Sequence, residues 1–446
     1  MPTPPSAAAR DEPVIRDRGD ACPGALRLHA ADDGYLARVR IPGGLLTARQ
    51  ASVLALAADR FGDGHLELTS RGNVQLRGLA EGCGAGLAEL LDGAGLLPAP
   101  GHERVRNIVA TPLSGILGSE RPHVTPWVGE LDRLLCASTR ATALSGRFLF
   151  AVDDGRGDVA ALDPDVTLLG APRGRALVRL GAAPGAVAVD AADAPRAALL
   201  AAEYFLDSAD AAGTRAWRVS ELPAGHALED AELASRLGAA GIAADLVPEV
   251  AWPYAPPPKP WGPGTSDRTP LCVLPPLGRL TADQWRLLVR VAGDGELRIT
   301  PWRSIVLPRA STRRPVDGYA QLVAAGLSVA PDGPWESVTA CTGQPGCAKA
   351  LSDVRADARA VVAAGGGAAD GGAAGGGASA GPAGAAVHWS GCERRCGHPR
   401  GTAWVDLVAT PDGYRLDGRP VPSHELAQAV ADARSQPRVS EDAVKK

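Results

Sequence analysis

The chain has 446 residues, enough for two to four domains, and 45% of them are hydrophobic, so a sizeable core can be buried. A net charge of −4 argues against a polybasic nucleic-acid or membrane-surface protein. No apolar run approaches the ~18 residues of a membrane span. The segment Met1 to Asp20, rich in Pro, Ala and charge, lacks the apolar stretch of a signal peptide. A cytoplasmic protein with no nucleic-acid and no membrane partner is expected.

In chain order, residues 1–20 read as a disordered N-terminus. Leu36 to Ile41 alternates apolar and polar side chains as a half-buried strand does, and Pro42-Gly43-Gly44 breaks it. Thr47 and Gln50 form a capping-box signature that opens a helix running through Ala58, with Gly62 as its stop. His65 to Ser70 reads as a strand that continues past Arg71-Gly72 into Asn73–Arg77. Arg147–Val152 and Ala176–Leu180 are further strand candidates, and Pro195–Leu206 and Asp230–Ala240 read as helices. Residues 253–264 are Pro-rich, a semi-rigid connector.

After the connector the first unit recurs. Gly278-Arg-Leu-Thr-Ala-Asp-Gln284 echoes Gly44-Leu-Leu-Thr-Ala-Arg-Gln50 at an offset of 234 residues, and Asp294-Gly-Glu-Leu-Arg-Ile-Thr300 echoes Asp63-Gly-His-Leu-Glu-Leu-Thr69 at 231. The change of offset predicts a second helix three residues shorter than the first. This is one long-period duplication, not a solenoid repeat. A helical pattern, Ala348 to Val362, starts at Cys347; residues 363–386, almost all Gly and Ala, read as a flexible insertion. The last helix starts near Ser423, and residues 437–446 form a frayed tail.

Of eight cysteines, four fall in two close pairs: Cys341 and Cys347 as C-x5-C, and Cys392 and Cys396 as C-x3-C. Thiols in a long cytoplasmic chain stay reduced, so such pairs point to metal or redox chemistry rather than disulfides. Four thiolates from two glycine-flanked loops can enclose an iron–sulfur cube. Structural zinc and inert buried thiols are the alternatives, although zinc more often uses C-x2-C spacing. Cys22, Cys83, Cys136 and Cys272 have no close partner and read as structural.

A second constellation is polar. On a continuous strand, Thr69, Arg71, Asn73, Gln75 and Arg77 share one face by period-2 alternation. Two guanidiniums, two amides and a hydroxyl suit a ligand with several carboxylates, whereas an ordinary solvated sheet face is the plainer explanation. Arg38, Arg40, Arg104, Arg106 and Arg147 add cations in the same half.

These residues resemble a known family. Arg38-Val-Arg-Ile-Pro-Gly-Gly44, Leu68-Thr-Ser-Arg-Gly-Asn-Val-Gln75, Arg106-Asn-Ile-Val-Ala-Thr-Pro-Leu-Ser-Gly115 and the paired cysteines resemble the sulfite and nitrite reductase superfamily. Thr300-Pro-Trp-Arg-Ser304, Thr342 to Leu351 and His388 to Pro399 look most like its precorrin-3B synthase branch, of aerobic cobalamin biosynthesis. The resemblance implies an α+β fold of two pseudo-symmetric halves, each a ferredoxin-like half-domain followed by an α/β domain. The implied boundaries are 21–100 and 101–252, then 265–331 and 332–436 after the 253–264 linker. It implies a [4Fe–4S] cluster on Cys341, Cys347, Cys392 and Cys396. Tetrapyrrole-carboxylate contacts carry over to Thr69, Arg71, Gln75 and Arg77, and an anion pocket to Arg38, Arg106 and Arg147.

Sirohaem reductases usually present Lys-x-Lys at that pocket. Here Arg147 and Leu149 stand in those places. A small anion in a tight cavity needs the full cationic field to offset its desolvation, so the departure favours a larger substrate. The resemblance then implies an oxidoreductase that hydroxylates precorrin-3A at C20 with O2 and closes a γ-lactone, fed by a reductase or ferredoxin as electron donor. It also implies a mononuclear non-haem iron, whose ligands it does not name; His388 and His398 flank the second cysteine pair and are candidates, with plain surface loop histidines as the alternative. The alternatives are a sirohaem-dependent sulfite or nitrite reductase, the only reading that calls for sirohaem, and a non-catalytic iron–sulfur tetrapyrrole-binding protein.

Overall fold

The computed structural model describes residues 23–116, 121–262, 270–293, 295–308, 315–366, 384–399 and 403–436. The expected disordered N-terminus, Cys22, most of the Gly/Ala insertion and the C-terminal tail lie outside them. The chain divides into two compact units, one built from residues 98–256 and the other from residues 23–97 together with 257–446.

In the second of these units the duplication becomes two interlocked sheets. The first runs His29–Ala31, Gly34–Val39, Val74–Leu79, His65–Leu68, and is completed by Arg279–Thr281 from the later repeat. The second runs Leu271–Val273, Ile305–Leu307, Glu296–Ile299, and is completed by Leu45–Thr47 from the earlier one. Each repeat therefore lends a three-residue strand to the other. Arg279, Leu280 and Thr281 lie opposite Glu67, Leu66 and His65, while Leu45, Leu46 and Thr47 lie opposite Arg298, Leu297 and Glu296.

The lent strands lead directly into the two helices, Ala48–Phe61 and Ala282–Ala292, of 14 and 11 residues as the offsets predict. Both capping boxes form: Thr47 accepts from the Gln50 N–H at 3.2 Å and Thr281 from the Gln284 N–H at 3.1 Å. Each capping glutamine also donates onward, Gln50 to the Ala94 carbonyl and Gln284 to the Ala325 carbonyl. Trp285, fully buried, donates from its indole N–H to the Ala51 carbonyl at 2.8 Å and ties the two helices together. The apolar faces of both sheets and both helices merge into one core.

The same unit carries an α/β domain. Its sheet runs Val338–Ala340, Ala386–Ser390, Trp404–Thr410, Gly413–Leu416, Arg419–Val421. The first three strands are parallel and the rest form an antiparallel meander. Val354 and Ala358 of one helix and Leu426 and Val430 of another cover Trp389, Leu407 and Tyr414.

Residues 98–256 repeat that plan. Ile108–Ala110, Phe150–Asp153 and Val166–Ala171 are parallel, and Arg175–Leu180, Ala186–Asp190 and Ala244–Val247 continue antiparallel. Helices Thr125–Ala137, Ala194–Ala211 and Asp230–Ala239 complete it.

Two expectations are corrected. The strand from His65 does not run through to Arg77: it ends at Leu68, and a new antiparallel strand begins at Val74 with Leu68 opposite Val74. Residues 69–73 are the turn between them, held by the Thr69 hydroxyl, which accepts the Asn73 N–H at 3.1 Å and the Arg71 N–H at 3.4 Å. Thr69, Arg71 and Asn73 therefore do not share a strand face with Gln75 and Arg77. Nor does a helix begin at Cys347: it starts at Val354, because the Leu351 N–H, which a helix would give to the Cys347 carbonyl, goes to the Gly391 carbonyl instead.

Candidate functional site

The two cysteine pairs meet at one end of the C-terminal sheet. Cys341 directly follows the parallel strand Val338–Ala340, and Cys392 lies two residues beyond its neighbour Ala386–Ser390. The carboxyl ends of adjacent parallel strands are where open α/β sheets gather their ligands. Backbone bonds stitch the loops together: the Cys341 N–H reaches the Trp389 carbonyl at 2.9 Å, and the Leu351 N–H reaches the Gly391 carbonyl at 2.8 Å. The Gly391 N–H donates to Cys341 Sγ at 3.1 Å. Gly391 has no alternative, since a Cβ there would sit 2.6 Å from that of Ala350.

Cys341, Cys347 and Cys392 are half-buried and Cys396 is exposed, and none is in a disulfide. Burial pushes the Cys341 thiol up, the N–H groups of Gly391 and Gly343 pull it back, and the nearby Cys396 and Cys392 raise it again. Among the described residues no three His, Cys, Asp or Glu converge closely enough to hold a single metal ion. The donor set nevertheless fits a cluster. It is purely thiol, as soft as iron–sulfur chemistry requires. A cube takes one thiolate at each iron, so it asks for four sulfurs spread around it rather than converging on one point.

The first half-domain reaches into this site. Arg77, 5% exposed, forks onto Asp33 with two bonds of 2.8 Å and donates a third, also 2.8 Å, to the Gly346 carbonyl beside Cys347. Glu67 pairs with Arg355 at 2.6 Å, and Arg355 donates to the Cys341 carbonyl at 3.2 Å. Burial alone would raise the Glu67 pKa, but Arg355, with Arg77 and Arg279 behind it, holds the carboxyl below its usual range. Gln75 links Glu67 to Arg38, with bonds of 3.0 Å on either side. The Asn73 amide oxygen accepts the Ile41 N–H at 2.9 Å. Of the five residues of the polar constellation, Asn73, Gln75 and Arg77 are thus woven into the frame that holds the cysteine loops, and Thr69 and Arg71 sit on the turn that precedes the second strand.

Asp33, Glu67, Arg279 and Arg355 carry this network and were not expected. The strand alternation that exposes their polarity says nothing of partners up to 288 residues away.

Of the two histidines considered as iron ligands, His388 has both ring nitrogens engaged and His398 has one. His388 is fully buried, with Nδ1 against the Thr339 hydroxyl at 2.8 Å and Nε2 against the Cys396 carbonyl at 3.2 Å. Burial, with Arg303 and His398 nearby, pushes its pKa down to about 3, so it is a neutral core histidine. His398 bonds the Pro399 carbonyl through Nδ1 and stacks on Trp404. Cys272 is fully buried and its thiol is pushed up to about 12 by burial, as an inert structural cysteine is.

The residues expected at an anion pocket divide between the units: Arg38 belongs to one, Arg106 and Arg147 to the other. Arg106, 4% exposed, forks onto Asp132 at 2.6 and 2.7 Å. Arg147 lies over the Trp217 ring, 5.5 Å from its centre. Leu149 is buried, 4% exposed. At the carboxyl ends of this unit's parallel strands stands an acidic turn. Asp153 accepts the N–H groups of Gly155, Gly157, Val159 and Ala160, and Asp158 accepts the Thr111 hydroxyl at 2.7 Å.

Known proteins agree with this architecture. The model of the nitrite/sulfite reductase ferredoxin-like half domain matches residues 29–92 and 267–313, the two repeats. A Sinorhizobium protein named precorrin-3B synthase is 26% identical over 432 residues, covering 90% of this chain and 83% of its own. A ferredoxin–nitrite reductase of Leptolyngbya laminosa is 27% identical over 415 residues, covering 86% and 78%. The solved structure of the Mycobacterium tuberculosis NirA protein superposes with a TM-score of 0.68 at 17% identity, over 92% of this chain and 84% of that one, a likeness of fold. The two repeats thus match the nitrite/sulfite reductase ferredoxin-like half domain, and the two-half fold is similar to that of the NirA structure.

Proposed function

We propose that the chain is a precorrin-3B synthase: an O2-dependent oxidoreductase that hydroxylates precorrin-3A at C20 while a ring-A acetate closes a γ-lactone. In balance, one oxygen atom of O2 enters the product and the other leaves as water, with two electrons from an external reductase or ferredoxin and two protons from the solvent.

Overall identity does not choose between synthase and reductase, since relatives of both names stand at 26% and 27%. What supports the choice is a departure in the sequence: Arg147 and Leu149 stand where sirohaem reductases usually present Lys-x-Lys. Leu149 is buried where reductases place a cation, and the Arg106 guanidinium is forked onto Asp132. Sulfite and nitrite are small and tightly hydrated, and a site for them needs uncompensated positive charge. A polycarboxylate macrocycle spreads its charge and tolerates apolar walls.

Cys341, Cys347, Cys392 and Cys396 would hold a [4Fe–4S] cluster, which supplies electrons singly when bound. The chain's own residues bind and orient. Arg71 and Arg38 are suited to take substrate carboxylates as forked pairs, with Thr69 and Gln75 as neutral partners. Arg77 acts one step back, through the Gly346 carbonyl, on the loop of Cys347. A mononuclear non-haem iron belongs to the same reading, with ligands other than the buried His388.

Anaerobically purified protein is assayed for iron and acid-labile sulfide, then given precorrin-3A, O2 and a reductant, and the product is weighed by mass spectrometry. A product heavier by one oxygen is expected, with cluster absorption but no sirohaem band, and Cys392→Ser should lose both iron and turnover. Extractable sirohaem with sulfite or nitrite turnover would assign a reductase instead. Bound but unchanged tetrapyrrole would assign a binding protein.

A further inference from the structure

The second half-domain carries a residue that its frame does not call for. Thr69 and Thr300 head equivalent turns. The Thr300 hydroxyl accepts the Trp302 and Ser304 N–H groups, each at 3.2 Å, as Thr69 accepts those of Arg71 and Asn73. Each turn needs one residue in the left-handed region. In the first half it is Gly72, at φ 66°. In the second it is Arg303, at φ 61°. Arginine gains nothing locally from that conformation, and strain of this kind persists where the surroundings demand it and collects at functional sites.

The turn throws the Arg303 side chain toward the cysteines. It lies across Gly278, where a Cβ would come within 2.6 Å of Arg303 Cδ, and a guanidinium N–H donates to the Gly397 carbonyl at 2.9 Å, next to Cys396. Among the described residues no carboxylate pairs with it. The acid it senses, Glu67, is already held by Arg355. Burial and the Arg355 charge lower its pKa to about 10, which leaves it cationic at neutral pH. A guanidinium without a counter-ion, pinned beside a set of thiolates, is complementary to an anionic centre that becomes more negative when reduced.

We infer that Arg303 is a positioning residue for the cysteine centre: fixed by a left-handed turn, its guanidinium holds the Cys392–Cys396 loop and stabilises the negative charge that the centre gains with each electron from the external donor. This rests on the cluster proposed above, and the test separates the two.

The variants are Arg303→Gly, which relieves the backbone, and Arg303→Lys, which keeps the charge. Each is assayed for iron and sulfide, for melting temperature, and for the midpoint potential by redox titration followed by electron paramagnetic resonance. Arg303→Gly should melt at the same temperature or higher, yet show a more negative potential, with the reduced-to-oxidised ratio at fixed potential lower by about tenfold. Arg303→Lys should recover most of that ratio. An Arg303→Gly protein with full iron and sulfide and an unmoved potential overturns this inference alone. Absence of iron and sulfide from the unmodified protein overturns it together with the cluster.

Discussion

The two halves of the chain build the same objects and finish them differently. Each half-domain has a strand lent to its twin, a capping box and a threonine-headed turn, and each α/β sheet has three parallel strands followed by an antiparallel meander. At the carboxyl ends of the parallel strands, residues 98–256 place the turn Asp153 to Asp158, whose carboxylates are consumed by backbone N–H groups and the Thr111 hydroxyl. The C-terminal domain places Cys341 and Cys392 there, with thiols left available. The frame fixes where chemistry can occur, and the loops at the strand ends decide whether it does.

The largest expected effect sets the two halves against each other at one glycine. Gly44, at φ 70°, faces backbone: a Cβ would come within 1.9 Å of the Ile299 carbonyl oxygen. Its counterpart Gly278, at φ 69°, faces the side chain of Arg303 instead. Backbone in a sheet cannot yield, whereas Arg303 Cδ can swing away, although its Cβ, 2.8 Å from the new methyl, shifts only with the turn that carries it. Gly44→Ala should therefore destabilise by about 4 kcal/mol or more, enough to abolish soluble expression, and Gly278→Ala by less, about 2–3 kcal/mol. Urea denaturation of the two variants checks this, and equal losses would mean that the halves are not separately constrained at this turn.

A smaller effect distinguishes the two sheet ends. Asp158 is 3% exposed, and burial, reinforced by Asp153, raises its pKa to about 7. An unfolded aspartate titrates near ~3.9. Between those values the folded protein holds a proton that the unfolded chain has released, so stability falls as pH rises from about 4 to about 7. Asp158→Asn keeps an oxygen to accept from Thr111 and Val159 but has no charge to bury. Relative to the parent, the variant should gain roughly 2–3 kcal/mol at pH 8 and little at pH 5, read as the difference between urea midpoints at the two values. A gain independent of pH would show that Asp158 is ionised throughout.

Local grammar survives translation into sequence; partnership does not. The capping boxes, the three-residue difference between the helices and the two cysteine pairs are all set by neighbours a few positions apart, and all could be read. The turn at residues 69–73 was hidden because Thr69 and Asn73 also suit a strand, and the deciding feature is the left-handed Gly72. The helix expected from Cys347 gives way to a turn because the carbonyl of Gly391, forty residues later, takes the Leu351 N–H that would have closed its first turn. Read singly, Arg303 is one residue of the segment Thr300 to Ser304. Aligning the repeats places it opposite Gly72, and that mismatch is a signal the sequence contains. The pairing of Glu67 with Arg355 leaves no such trace.

The smallest effect asks whether the two repeats are still equivalent where their sequences agree best. Thr47 and Thr281 have nearly identical cap geometry, with φ −72° and ψ 157° in one and φ −71° and ψ 158° in the other. Each satisfies one otherwise orphaned N–H and orients a glutamine whose amide reaches a carbonyl in the following loop. Thr47→Ala and Thr281→Ala should each cost about 1 kcal/mol, with the double variant near the sum, because the caps share no partner. The helix that Thr281 opens is the shorter and carries Asp283 in its first turn, where the charge favours the N-terminus, so Thr281→Ala should be the milder by a few tenths of a kcal/mol. A marked departure from additivity would locate coupling in the Trp285–Ala51 bond between the helices, the contact through which one cap could sense the other.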